Sequence, residues 1–173
     1  MQFFSGFSLT KEEFLFESFI DKSDFNVCGF SYGSIKALNY TLKKLREGER
    51  VDRLQLFSPA FFQTKDKKFK RLQLMAYKKN ESAYIGQFLE ACFAPYEMQR
   101  VEQCMTKSEE LKELLEYEWS LAQLVELKSN GVAIEVYLGA KDEIVDAKSA
   151  EEFFKEVATV TFLKSANHFL QIS

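Results

Sequence analysis

The stretch Phe25-Asn26-Val27-Cys28-Gly29-Phe30-Ser31-Tyr32-Gly33-Ser34-Ile35 decides the fold. Phe25 to Cys28 is short and mostly apolar and reads as a buried strand. Ile35, Leu38, Leu42 and Leu45 then recur at spacings of three, four and three, which is one face of a helix. Gly29-x-Ser31-x-Gly33 therefore stands between a strand and a helix, the context in which this pattern carries chemistry. A turn this sharp lifts the serine side chain above the sheet. Glycine at 29 and 33 leaves room where strand and helix pass close. The helix N-terminus places unpaired N–H groups and a positive dipole end beside Ser31, which suits a nucleophile and a neighbouring oxyanion. A serine so placed needs a base and an acid, in the chain order Ser, then Asp or Glu, then His.

The bulk composition bounds the rest. A chain of 173 residues fits a single domain, 1–173, able to bury a real core. With 18 Phe and 7 Tyr, aromatic packing should dominate that core. A net charge of −3 excludes a general nucleic-acid binder. The charge is uneven, because residues 65–79 carry seven Lys or Arg against one Asp, a local +6. Cys28, Cys92 and Cys104 are odd in number, widely spaced and outside any metal-binding pattern. They read as reduced thiols, so a cytoplasmic location is expected. No metal and no cofactor is expected, and no apolar run is long enough to span a membrane. The N-terminal Met1-Gln2-Phe3-Phe4 lacks the basic region and long apolar core of a signal peptide.

In chain order, Gln2-Phe3-Phe4 is a strand and Ser5-Gly6-Phe7-Ser8 a loop. Thr10 with Glu13 forms a capping-box pattern before a short helix filled by Phe14, Phe16, Phe19 and Ile20. Arg53 to Phe57 is a third strand, ended by Ser58-Pro59. Residues 60–130 read as helices at about 66–79, 81–93, 97–105 and 108–129, with Thr106 and Glu109 as a second capping box and Gly131 as a stop. Val132 to Leu138 is the clearest strand, Asp146 to Val157 a helix, and Val160 to Leu163 the last strand. Strands alternating with helices predict an α/β fold with a mostly parallel sheet of about five strands and a helical cap inserted at about 60–118. Ligand sites in such sheets lie beyond the carboxyl ends of the strands. Ser31, Asp142 and His168 each follow a different strand, and so share that rim.

Ser31 is the candidate nucleophile, and a serine hydroxyl needs a base within hydrogen-bond reach. His168 is the only histidine, and it lies downstream of both other candidates. For the acid, Asp142 fits best; Glu143 and Asp146 stand near, and Asp146 has an alternative role as a helix N-cap. An oxyanion needs two N–H donors, for which the backbones of Tyr32 and Phe7 are the candidates. Phe7, Phe30, Tyr32, Phe57, Phe61 and Phe62 could line an apolar channel, although core packing explains most aromatics equally well.

Together, Gly29 to Gly33, Asp142 in Gly139-Ala140-Lys141-Asp142 and His168 in Ala166-Asn167-His168 resemble the triad of the α/β-hydrolase superfamily, over nearly the whole chain. Ser5-Gly6-Phe7 departs from the His-Gly pair that most members carry, but a backbone donor is indifferent to that. With one helix between its first two strands, the chain resembles a truncated α/β-hydrolase. More specifically, Phe3-Phe4-Ser5-Gly6-Phe7, Gly29-Phe30-Ser31, Leu56-Phe57-Ser58-Pro59, Phe69-Lys70-Arg71-Leu72-Gln73-Leu74 and Asn167-His168-Phe169-Leu170-Gln171 are similar to the BioV family. These are short pimeloyl-[acyl-carrier protein] methyl ester esterases of biotin synthesis. The resemblance implies hydrolysis of the methyl ester at the free end of a pimeloyl chain, with acyl carrier protein as the partner that bears it.

The basic segment fits that partner independently. In a helix over 66–79, Lys67, Lys70, Arg71 and Lys78 fall within a stripe of roughly 100°, with Phe69, Leu72 and Ala76 on the other side. An acidic carrier protein would gain affinity and on-rate from such a stripe. An anionic membrane surface is the second partner it would suit, without stable insertion. Three functions compete: a carrier-linked methyl esterase, a thioesterase or general short-chain acyl esterase with the same triad, and a non-catalytic module that binds through the basic cap.

Overall fold

Strand β3 (Asn26–Phe30) is buried along its whole length, which is why its sequence runs apolar instead of alternating. The computed structural model describes all 173 residues and places β3 inside a five-stranded sheet. Its neighbours are β1 (Gln2–Phe4) on one side and β4 (Arg53–Phe57) on the other. Beyond β4 lie β6 (Ala133–Gly139) and β7 (Thr159–Leu163), so the strands march across the sheet in chain order. Every pairing is parallel, as in Gly29 against Leu56 and Leu56 against Val136. All five carboxyl ends therefore open onto one rim. The sheet is an α/β sheet of the expected class.

Helix α1 (Tyr32–Arg46) packs across β1, β3 and β4 through Ile35, Ala37, Leu38 and Leu42. Between β4 and β6 the chain makes a long helical excursion: α2 (Lys67–Lys79), α3 (Glu81–Phe93), α4 (Ser108–Glu116) and α5 (Leu121–Ser129). Helix α2 packs on α3 and α4, whereas α5 returns to the sheet against β6 and α1. Helix α6 (Ala147–Phe154) then crosses back onto β6 and β7.

Several local expectations are corrected by tertiary contacts. The first capping box does not form, because Thr10 lies in a short strand, β2 (Leu9–Thr10). The helix that follows is a 3₁₀ turn at Glu12–Phe16, entered through Lys11 at φ 60°. Residues 97–105 are not helical. Their backbone pairs instead at β5 (Glu102–Gln103), antiparallel to β2, with the Cys104 N–H reaching the Ser8 carbonyl at 2.9 Å. The expected helix 108–129 is broken at Trp119, which is buried, and its N–H groups bond Gln63 Oε1 and the Ala60 carbonyl, each at 2.8 Å. The second capping box shifts by one: the Lys107 N–H donates to Glu110 Oε2, while Thr106 donates to Glu81.

The core is aromatic, with Phe16 at its centre. Its ring lies 4.8 Å from Phe30 and 4.9 Å from Phe57, centroid to centroid, and Phe30 in turn stacks on Phe169 at 4.9 Å. This cluster lies directly beneath the rim, since the Phe30 ring is also 5.0 Å from that of His168.

Candidate active site

At the end of β3 the chain turns so sharply that Ser31 takes φ 51° and ψ −115°, an unfavourable conformation for a residue with a side chain. The surroundings enforce it. The Ser31 N–H bonds the Phe57 carbonyl at 2.9 Å, and its carbonyl accepts from Ala60 at 3.1 Å. A Cβ on Gly33 would collide with the Phe4 carbonyl, and one on Gly29 with the Gly33 backbone. The turn thus needs glycine at both positions to let helix α1 start against β1 and β3.

The loops after β3, β6 and β7 bring Ser31, Asp142 and His168 together. His168 Nε2 lies 3.0 Å from Ser31 Oγ, and His168 Nδ1 lies 2.6 Å from Asp142 Oδ2. The His168 and Asp142 side chains are fully buried, and Ser31 is buried too. An ionised carboxylate only accepts hydrogen bonds, so Nδ1 carries the proton and Nε2 is left to accept from the serine. Asp142 Oδ1 is taken by the N–H groups of Ile144 at 2.7 Å and Val145 at 3.0 Å. The other two carboxylates go elsewhere. Asp146 caps α6 through the Ser149 N–H at 3.0 Å, a bond that holds its carboxyl below the usual range. Glu143 lies at the edge of the cavity described below.

Neither the Phe7 nor the Tyr32 N–H has an acceptor within the protein; the latter is among the first, unbonded donors of α1. The Tyr32 side chain faces away from this task, donating its hydroxyl to Glu113 of α4 at 2.6 Å. Cys28, next to the turn, is buried and its thiol is pushed up to about 12 by desolvation, so it behaves as a small hydrophobe.

A cavity of about 250 Å³ opens beneath α2, α3 and α4. Phe7, Phe62, Phe69, Phe88, Leu111 and Leu114 contribute to its largely apolar wall. The expected channel is therefore corrected in part. Phe7 and Phe62 line the cavity, but Phe30, Phe57 and Phe61 are buried in the core, and Tyr32 is turned toward Glu113. The volume falls below the ~300–1,000 Å³ of drug-sized sites, and the cavity nears the site only through Phe7, Glu143 and Ile144; Ser31, Asp142 and His168 do not line it.

Helix α2 presents Lys67, Arg71 and Lys78 to solvent, with Lys70 half-buried. Lys67, Lys70 and Arg71 share a groove with Leu74, Glu116 and Glu118. No basic side chain of residues 65–79 forms an ion pair. The expected inner face is corrected in part: Phe69 packs inward and lines the cavity, but Leu72 and Ala76 are exposed, Tyr77 is the buried residue of α2, and Met75 is 58% exposed.

Two contributors escaped the sequence reading. Asn167 is fully buried and ties the loop before His168 to α3 through the Phe93 carbonyl at 2.7 Å. Glu12, which the sequence reading passed over, is fully buried and accepts the Gly6 N–H at 2.7 Å. In Lys11-Glu12-Glu13 nothing set it apart from its charged neighbours. No group of three or more His, Cys, Asp or Glu side chains converges in a way that could hold a metal ion. No helix is long and apolar enough to cross a membrane.

No protein-family model and no curated protein matches the sequence. Solved structures do match in shape. An esterase from Exiguobacterium antarcticum superposes with a TM-score of 0.61 at 18% identity, covering 82% of this chain and 58% of its own. Naproxen esterase from Bacillus subtilis gives 0.51 at 22% identity, covering 95% and 62%. BioG from Haemophilus influenzae gives 0.56 at 10% identity, covering 98% and 88%. The fold is that of the α/β-hydrolases. This chain spans about three-fifths of the length of the Exiguobacterium and Bacillus esterases, and these identities establish the fold alone.

Proposed function

We propose that this chain is a serine carboxylesterase that hydrolyses the methyl ester of pimeloyl-acyl carrier protein in biotin synthesis. The observation that carries ester hydrolysis is the unbroken relay from Ser31 Oγ through the His168 ring to Asp142. In the proposed cycle Ser31 Oγ attacks the ester carbonyl while His168 Nε2 takes its proton. The carbonyl oxygen, now anionic, is met by the free N–H groups of Phe7 and Tyr32. The intermediate collapses, the C–O bond to the methoxy group breaks, and His168 returns the proton to release methanol. Water, deprotonated by the same nitrogen, then attacks the acyl-Ser31 ester. Its collapse frees the carboxylate and reprotonates Ser31.

The finer substrate assignment is supported by three features. The motifs at residues 3–7, 56–59, 69–74 and 167–171 resemble the BioV family. The narrow apolar cavity suits an aliphatic chain. The unpaired basic side chains of α2 suit an acidic carrier. The likeness to carboxylesterases with other substrates favours a second reading, a general short-chain esterase.

Labelling with a fluorophosphonate probe and mapping the adduct tests the mechanism, with Ser31 as the expected site. Methanol release from carrier-bound pimeloyl methyl ester, compared with hydrolysis of p-nitrophenyl butyrate, tests the substrate. Efficient turnover of the small ester alone would leave the second reading. A well-folded chain that resists the probe would leave only a partner-binding module.

A further inference from the structure

The Phe7 N–H can serve an oxyanion only if its peptide plane is held. The loop that carries it, Ser5 to Ser8, contains Gly6, whose backbone has more freedom than any other residue's. Two hydrogen bonds restrain it. The Gly6 carbonyl accepts the Leu9 N–H at 3.3 Å, and since the peptide is trans, the Phe7 N–H on the same plane points the opposite way. The preceding peptide is held from within the protein, where the Gly6 N–H donates to Glu12 Oε1 at 2.7 Å.

Glu12 is an expensive way to hold it. Its side chain is fully buried, and its second oxygen, Oε2, has no hydrogen-bond partner. No Lys, Arg or His pairs with it: the adjacent Lys11 is turned to Glu102 at 2.9 Å, and the neighbour on its other side, Glu13, has the same sign. Burying a carboxylate without a counter-ion costs several kcal/mol, and the Gly6 N–H, with lesser help from its own N–H and the Ser5 hydroxyl, offsets only part of that. The fold gains little from a carboxylate here, whereas the loop gains a fixed acceptor. Phe16, on the same 3₁₀ turn, is stacked into the aromatic core, so that acceptor sits on a rigid base.

We propose that Glu12 is a positioning residue for ester hydrolysis, holding the Gly6 N–H so that the Phe7 N–H stays aimed at the reacting carbonyl oxygen. The inference rests on the esterase reading of Ser31, His168 and Asp142. It assigns the work to the acceptor atom at its present reach, not to the negative charge.

Three substitutions separate these roles, read by steady-state kinetics on p-nitrophenyl butyrate with thermal denaturation alongside. Glu12→Gln keeps the acceptor and removes the charge, and Glu12→Asp keeps the charge but draws the acceptor back by one methylene. Glu12→Met keeps the volume and removes the acceptor. Losing one oxyanion donor outright costs about 10²–10³ in kcat, so a donor left loose should cost on the order of 10- to 100-fold in Glu12→Asp and Glu12→Met, with KM little changed. Glu12→Gln should stay within about threefold of wild type, since its amide oxygen still accepts the Gly6 N–H. Should Glu12→Met fail to fold, the contrast between Gln and Asp still decides. Wild-type kcat in a folded Glu12→Asp, or a Glu12→Gln as impaired as Glu12→Asp, overturns the proposal. A wild-type chain that hydrolyses no ester overturns the reading of the site, and this inference with it.

Discussion

Asp142 grips His168 with only one of its two carboxylate oxygens. Oδ2 lies 2.6 Å from His168 Nδ1, while Oδ1 is held by the backbone N–H groups of Ile144 and Val145. This division of labour determines what an amide would do in its place. In Asp142→Asn the carbonyl oxygen must stay with the two N–H donors, which turns the NH₂ group toward Nδ1. The imidazole is then forced into the tautomer with its proton on Nε2, where it cannot accept from Ser31. The expected loss in kcat is on the order of 10⁴-fold, with little change in melting temperature. Near wild-type kcat in Asp142→Asn, together with a dead Asp146→Asn, would move the acid to Asp146.

Ser31→Ala should abolish hydrolysis by on the order of 10⁴-fold or more and prevent fluorophosphonate labelling. The fold should survive, because the turn is held by the backbone bonds of Ser31 to Phe57 and Ala60, which alanine keeps. Circular dichroism with a kinetic assay is the check. Substantial activity in the folded variant would sink the serine mechanism.

Burial raises the carboxyl pKa of Glu12, against the lowering effect of its bond to Gly6. The folded state therefore binds the proton more tightly than the unfolded chain, whose glutamates titrate near 4.3. Stability should fall as pH rises from that value through the raised one, and level off above it. Glu12→Gln removes this dependence. The melting-temperature difference between Glu12→Gln and wild type should grow in favour of Gln across that window, then stay flat. A difference that is constant with pH would mean that Glu12 is not desolvated as described.

Phe16→Ala removes the ring that stacks on Phe57 and packs at a tilt against Phe30 beneath the rim. A buried Phe→Ala change costs about 3–5 kcal/mol, and for a chain of this size each kcal/mol moves the melting temperature by about 2–4 °C. A fall of roughly 10 °C is expected by calorimetry. A fall of under about 2 °C would mean the cluster is loosely packed.

The strand–turn–helix at Ser31 was legible in sequence because its causes are local: an apolar run, two glycines and a helix stripe. The shared rim of Ser31, Asp142 and His168 was legible because a parallel sheet puts every strand's carboxyl end on one edge. What escaped depended on distant partners. Residues 102–103 became a strand because β2, far away in sequence, offered them a ladder. Trp119 broke a helix to reach Ala60 and Gln63. On α2 the spacing of apolar residues points to Phe69, Leu72 and Ala76 as the inner side; Phe69 does pack inward, but Leu72 and Ala76 are exposed and Tyr77 is buried. An aromatic with a satisfied hydroxyl, here bonded to Thr106 at 2.7 Å, can outweigh aliphatic residues in orienting a helix.

Helix α2 supplies the last prediction. Lys67 and Arg71 are exposed and make no ion pair, so reversing both charges (Lys67→Glu with Arg71→Glu) breaks no bond; it does bring like charge toward Glu116 and Glu118 across the groove, a solvent-screened effect that should cost no more than about 1 kcal/mol. If the stripe docks an acidic carrier protein, kcat/KM for the carrier-bound methyl ester should drop through slower association. The drop should shrink as salt rises, because exposed charges are screened over about 8–10 Å at 0.1–0.15 M. Hydrolysis of p-nitrophenyl butyrate should barely change, since Ser31, His168 and Asp142 are untouched. The exposed Leu72 and Met75 on the same helix would give the docked carrier an apolar contact that salt does not screen, so Leu72→Ala with Met75→Ala should weaken carrier use at every salt concentration. Equal losses on both substrates after charge reversal would make the stripe a structural feature of the cap. No loss on either would leave it a solvated helix face, and the carrier protein would have to dock elsewhere.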